Sequence, residues 1–279
     1  DILFSRLIGN FIESGKVLSE SDLVVLRLPC FLSIIIFPLL IVMRKKYAVE
    51  VVGDVYESIN GAKGNSFPYK IFAALFMKFT KIIIRKSVGA IYVTRSTLQA
   101  IYPPPALFSY ASNVSIMPVS KELLQERQAK IDRWQAKAFF VVGIMGSYNN
   151  NYKGIDVLIR AISLVRKNHN LDVQLEIVGT GNRNIFVNVI KECSSDGWIK
   201  FKGRLNRKSV YLWLDEIDIY VQPSRTEGLP RALIEAMSRA CPAIATDVGG
   251  IPESKVELQS TSGKAWDALR FNFELRGLI

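Results

Sequence analysis

From Phe139 to Thr246 the chain alternates short apolar runs with amphipathic ones, and this alternation constrains the fold more than any other feature. The apolar runs are Phe139–Met145, Val173–Val178, Ile199–Lys202, Ile219–Gln222 and Ala243–Thr246. Between them, Gly154–Arg166, Ile185–Cys193, Ser209–Leu214 and Arg231–Arg239 read as helices. Strands that alternate with helices predict a parallel sheet with right-handed crossovers. Ligands of such sheets bind outside the carboxyl ends of the strands. The unusual residues of this half fall in those loops: Lys153, Gly179 to Gly181, Arg204, and Glu227 to Pro230.

The earlier part of the chain reads as incomplete α/β. Leu23–Leu28, Ala48–Val52 and Ala90–Thr94 are its strands, and the polar stretch Lys121–Ala136 is a helical connector into the second half. Leu28 to Met43 is apolar apart from Ser33 and is followed by Arg44-Lys45-Lys46. It is shorter than the roughly 18–20 residues of a membrane span and contains Pro29 and Pro38. It is read as the end of the strand Leu23–Leu28 followed by a buried or interfacial helix, with a membrane span or re-entrant anchor as the alternative.

A net charge of +11 implies an acidic partner: nucleic acid, an anionic membrane or phosphate-bearing substrates. No base-reading module is visible, which argues against nucleic acid. Cys30, Cys193 and Cys241 are odd in number and far apart, so reduced thiols and a cytoplasmic location are expected. With His169 as the single histidine, placed in a polar turn, no metal site is expected.

The segment Pro223-Ser224-Arg225-Thr226-Glu227-Gly228-Leu229-Pro230-Arg231-Ala232-Leu233-Ile234-Glu235-Ala236-Met237 joins a strand to a helix that opens with proline. Unpaired amides and the dipole at a helix N-terminus favour an anion. Gly228 allows close backbone approach, and Pro230 suits a first helical turn, where its missing N–H costs nothing. The amides near Gly228 and Leu229 would face a phosphate. Carboxylates beside such a site suit a phosphate attached to a hydroxyl-rich group, which describes a nucleotide-sugar. The competing readings are a dipole-complementing cap for Glu227 and a solvated helix face for Glu235. Lys153, in Gly146-Ser147-Tyr148-Asn149-Asn150-Asn151-Tyr152-Lys153-Gly154, can neutralise a departing diphosphate.

The Glu-x7-Glu spacing within PSRTEGLPRALIEAM is followed by Pro242, Thr246-Asp247 and Gly249-Gly250-Ile251-Pro252-Glu253. This pattern resembles the retaining glycosyltransferases of family 4, of the bacterial surface-polysaccharide type. The resemblance is specific from about Val141 to Glu253, looser before Lys121 and absent after Glu253. It implies an α/β, GT-B-like fold: two Rossmann-like domains with parallel sheets facing across a cleft. Both are expected to be incomplete here, residues 1–122 on the acceptor side and 137–279 on the nucleotide-sugar side.

By that resemblance Glu227 holds the hydroxyls of the donor sugar and supports charge at the anomeric carbon, and Glu235 binds the ribose hydroxyls. Lys153 matches a Lys-Gly position, although Ser147 or Tyr148 stands where relatives often carry an arginine. Arg204 lies on the loop that approaches base or phosphates. Gly179-Thr180-Gly181 matches a Gly-x-Gly turn, with a plain strand-to-helix turn as the alternative. In the acceptor half Gly53-Asp54 replaces a common histidine, and Asp54 is either an acceptor-hydroxyl partner or a turn cap. The donor implied is a UDP- or GDP-sugar, with retention and no required metal or other cofactor. The acceptor expected is a glycan or a lipid-linked intermediate.

No Asp or Glu occurs between Glu57 and Glu122, whereas eight Lys/Arg do. Tyr69–Lys86 sets Lys70, Lys78, Lys81 and Arg85 among Phe72, Leu75, Phe76 and Phe79. That pattern suits the surface of an anionic membrane, at the inner face of the plasma membrane, or an ordinary solvated helix face. Two rival functions remain open: an isomerase or epimerase of nucleotide-sugars, and a non-catalytic nucleotide-binding remnant.

Overall fold

The computed structural model describes residues 15–55, 59, 67–117, 119–149, 151–195 and 197–254. The chain divides into two compact units, Asp1–Ser112 and Asn113–Ile279.

In the first unit four strands, β1 (Val24–Leu28), β2 (Tyr47–Val51), β3 (Gly89–Tyr92) and β4 (Phe108–Tyr110), form a parallel sheet in the order β1-β2-β3-β4. The helices α1 (Ser33–Val42), α2 (Phe67–Lys86) and α3 (Thr97–Ile101) lie between successive strands in the sequence. β1 alternates buried and exposed residues, with Val24, Leu26 and Leu28 inward. α2 turns Ala73, Phe76, Thr80, Ile83 and Ile84 inward at helical spacing. The apolar run after Leu28 thus becomes a ten-residue helix. No helix among the described residues is long and apolar enough to cross a membrane.

The second unit opens with α4 (Lys121–Asp132), whose Ser120 caps the first turn by accepting from the Leu123 amide. β5 (Phe139–Met145), β6 (Asp172–Val178), β7 (Ile199–Gly203), β8 (Ile219–Gln222) and β9 (Ala243–Ala245) follow, interleaved with α5 (Ile155–His169), α6 (Val187–Glu192), α7 (Arg207–Glu216) and α8 (Arg231–Ser238). All neighbouring strands are parallel, in the order β7-β6-β5-β8-β9. The order runs one way from β5 to β7 and the other way from β8 to β9. The switch point therefore lies between β5 and β8, where a ligand crevice is expected.

The core of this unit joins Ile144, Leu175 and Ile177 of the sheet to Ile155, Leu158, Ile159 and Ile162 of α5. Each such side chain contributes about 1.5–3 kcal/mol by leaving water. α4 belongs to this unit: Arg127 donates to the carbonyls of Leu214 (2.6 Å) and Ile217 (2.8 Å). A cation on the last carbonyls of α7 satisfies acceptors that the helix cannot.

Two predicted elements differ in detail. The expected helix Ile185–Cys193 is a 3-10 turn, Arg183–Phe186, followed by the short α6. Asn182 accepts from the Asn184 amide and tightens that first turn. His169 is the last residue of α5 and is exposed, as a surface position requires.

Candidate active site

The loops after β5 and β8 meet at the switch point. The Arg225 amide donates to the Tyr152 carbonyl at 2.7 Å. The Arg225 guanidinium forms two hydrogen bonds to the Asp156 carboxylate, at 2.9 and 2.7 Å. Burial works against the Asp156 charge, but Arg225 and two backbone amides outweigh it and hold its carboxyl below the usual range.

Two glycines let the backbones come this close. A β-carbon on Gly154 would sit 2.0 Å from the Pro223 carbonyl oxygen, and one on Gly249 would sit 1.8 Å from that of Glu227. Both also hold positive φ, +67° and +54°. The Gly250 amide closes the far side with a 2.9 Å bond to the Gly228 carbonyl.

This clamp brings together Lys153 and Glu227, residues 74 apart in sequence: Nζ donates to Oε1 at 2.5 Å. The side chains are 12% and 8% exposed. Such a pair in a half-dry setting is stronger than on an open surface. The Lys153 ammonium also lies 5.1 Å from the centre of the Tyr152 ring. Burial, and then the Glu227 charge, push the Tyr152 phenol up.

Glu227 precedes the tip of α8. Pro230 takes the capping position and the helix starts at Arg231, one residue later than a proline in the first turn would give. The Pro230 carbonyl accepts the first helical bond from Ile234, at 3.1 Å. Among the described residues neither the Gly228 nor the Leu229 amide is found donating, which leaves two donors at the tip for an anion.

Glu235 lies one turn after Arg231, on the same side of α8. It is half-buried, and burial raises its carboxyl above the usual range against the pull of Arg231 and Arg207. Gly179 and Gly181 follow β6 on the same sheet edge; a β-carbon on Gly179 would strike the Gly146 carbonyl at 1.9 Å. Close packing onto the β5 loop is thus a structural reason for that glycine. Arg204 is exposed on the loop after β7. Asp54 belongs to the first unit, beyond β2, where its Oδ1 accepts from the Tyr102 hydroxyl at 2.6 Å.

Sequence reasoning passed over Gln222 and Ser224, which also donate to Glu227 Oε1, at 2.6 and 2.7 Å. A polar residue ending an otherwise apolar strand was the available signal. Among the described residues no group of three His, Cys, Asp or Glu side chains could hold a metal ion.

The profile of the glycosyl transferases group 1 family matches residues 139–263. CapJ of Staphylococcus aureus is 32% identical over 241 residues, 85% of this chain and 58% of CapJ. A phosphatidyl-myo-inositol mannosyltransferase of Propionibacterium freudenreichii is 28% identical over 117 residues, 42% of this chain and 31% of that protein. The chain therefore spans less than two thirds of these relatives. Among solved structures, sucrose-phosphate synthase of Thermosynechococcus elongatus superposes with a TM-score of 0.66 over 98% of this chain and 69% of that one, at 16% identity. HepE of Anabaena, solved with UDP and glucose, superposes with a TM-score of 0.64 over 96% of this chain and 72% of its own, also at 16% identity. The fold is that of GT-B glycosyltransferases, and residues 139–263 are similar to the group 1 glycosyl transferases.

Proposed function

We propose that the chain transfers a sugar from a UDP- or GDP-sugar to a glycan or lipid-linked acceptor, with retention at the anomeric carbon, as a family 4 enzyme does. The observation that carries this reading is the meeting of Lys153 and Glu227 at the switch point, beside the two undonated amides of the α8 tip. In the transfer the bond from the anomeric carbon to the phosphate oxygen breaks as an acceptor hydroxyl oxygen bonds to that carbon and gives its proton to the departing phosphate. The electron pair leaves with the diphosphate. Lys153 and the Gly228 and Leu229 amides meet that charge, in the place a metal ion takes elsewhere. Glu227 accepts from the sugar hydroxyls and stabilises positive charge at the anomeric carbon. Glu235 accepts from the ribose, Arg204 reaches the base or phosphates, and Asp54 attends the acceptor hydroxyl.

A neighbour in fold supports the donor class, since HepE is solved with UDP and glucose. The test is a panel of UDP- and GDP-sugars offered with glycan and polyprenyl-phosphate acceptors, with the product's anomeric configuration read by NMR. An inverted product removes retention; nucleotide binding without transfer supports the remnant reading. An epimerase or isomerase is not favoured by the family match or by the relatives.

The first unit adds a partner to this reading, an anionic membrane at the inner face of the plasma membrane. α2 exposes Phe67 (74%) and Leu75 (62%) alongside Lys78, Arg85 and Lys86. Phe31, just before α1, stacks on Phe72 and Phe76 with ring centres 6.0 and 5.0 Å away, and extends the apolar patch. Exposed apolar residues among cations suit an interface with anionic lipid. Flotation with phosphatidylglycerol vesicles is expected to carry the protein and to weaken in high salt; equal flotation with phosphatidylcholine alone removes the electrostatic reading.

A further inference from the structure

Glu227 is held by more than its lysine. Oε1 receives Lys153 Nζ at 2.5 Å, Gln222 Nε2 at 2.6 Å and Ser224 Oγ at 2.7 Å. Among the described residues these three donors all fall on that oxygen, and none reaches Oε2.

The donors are themselves arranged. Gln222 spends its two amide hydrogens on Glu227 and on Ser224 Oγ, the latter at 2.9 Å. Ser224 accepts that bond and passes its own hydrogen to Glu227. The Gln222 carbonyl accepts from the Tyr220 hydroxyl at 2.7 Å, which fixes which way round the amide stands. Tyr220 and Gln222 have no exposed surface, and Ser224 is 1% exposed. Every polar atom in this relay is used, and a buried relay with that property holds a single arrangement.

We propose that Gln222 and Ser224, oriented by Tyr220, are positioning residues that commit Oε1 of Glu227 to the protein and so reserve Oε2 for the donor sugar. The consequence appears when the nucleotide arrives. A diphosphate competes with Glu227 for Lys153, and a carboxylate held by lysine alone would be released at that moment. With Gln222 and Ser224 in place the carboxylate keeps two donors while the lysine turns to phosphate. The anion site and the sugar site can then be filled together. This inference rests on the transferase reading.

The test uses the full chain and whichever UDP- or GDP-sugar of the panel it consumes. Ser224→Ala is expected to lower kcat about tenfold, the loss of one hydrogen bond to a charged group, with the Kd for free UDP or GDP unchanged within about twofold. Gln222→Met is expected to lower kcat further, and its thermal midpoint is recorded because Tyr220 then loses its acceptor. If Gln222→Met fails to fold, Ser224→Ala alone decides. An unchanged kcat in Ser224→Ala overturns the positioning role and leaves the transferase reading standing. Equal losses in kcat and in nucleotide affinity also overturn it, because they mark a general disturbance. If the wild-type chain consumes no sugar nucleotide, the transferase reading falls and this inference falls with it.

Discussion

Strand β8 has a buried carboxylate near each end, and the two are used differently. Asp218, at its amino end, is fully buried. Its Oδ1 takes Lys137 at 2.5 Å and Lys130 at 3.4 Å, and its Oδ2 takes the Val141 amide at 2.8 Å. Glu227, beyond the carboxyl end, takes its donors among the described residues on one oxygen. Both are acids paired with lysine in a dry setting. Asp218 has both oxygens occupied and stitches the starts of β5 and β8 to α4. Glu227 keeps an oxygen in reserve on the edge where parallel sheets bind ligands. A buried ion pair alone therefore says little about function; what separates the two is unspent hydrogen-bonding capacity and the edge on which it lies.

The comparison can be broken most forcefully at Asp218. Asp218→Ala strands two lysines and is expected to cost about 3–5 kcal/mol, read from urea unfolding. A loss under 1 kcal/mol would show that the amino-end pair is not structural. Glu227→Gln should do the reverse. Transfer falls by about 100-fold or more, while the unfolding midpoint moves little; a variant with wild-type turnover removes the catalytic role. Lys153→Ala is expected to weaken UDP or GDP binding about tenfold, measured by calorimetry, and unchanged affinity would detach the lysine from the diphosphate.

The smallest effect concerns Glu235. Its folded-state carboxyl is raised by burial, so the native state holds that proton more tightly than the unfolded chain. Stability from this group is complete below the ordinary glutamate range and falls as pH rises through the raised value. Glu235→Gln should flatten that slope; an unaltered stability–pH curve would mean that burial there is not felt.

Much of the second unit was readable from its sequence because its strands are buried and bounded by loops. Phe139–Met145 and Ile219–Gln222 fall where apolar runs begin and end. β4 was not, because Phe108–Tyr110 is three exposed residues after Pro103-Pro104-Pro105, with no alternation to read. α3 has five residues, too few to show a period. At the site, Lys153 and Glu227 were visible one at a time as loop residues on a common edge. Their contact was not, since strand order and close glycine packing, not spacing, bring them together. Gln222 and Ser224 were passed over for a similar reason: a chain of hydrogen bonds turning back through one loop leaves no periodic trace. The stretch after Glu253, where the family resemblance ends, falls almost wholly on residues 255–279, outside the described residues.

The wedge formed by Gly154 and Gly249 has a practical consequence. With the Gly154 and Gly249 backbones pressed against the Pro223 and Glu227 carbonyls, the acidic loop is braced where it meets its neighbours. Altering which saccharide is accepted would mean recutting the side chains around a fixed anvil, and a bulkier residue at either glycine would shift the anvil itself.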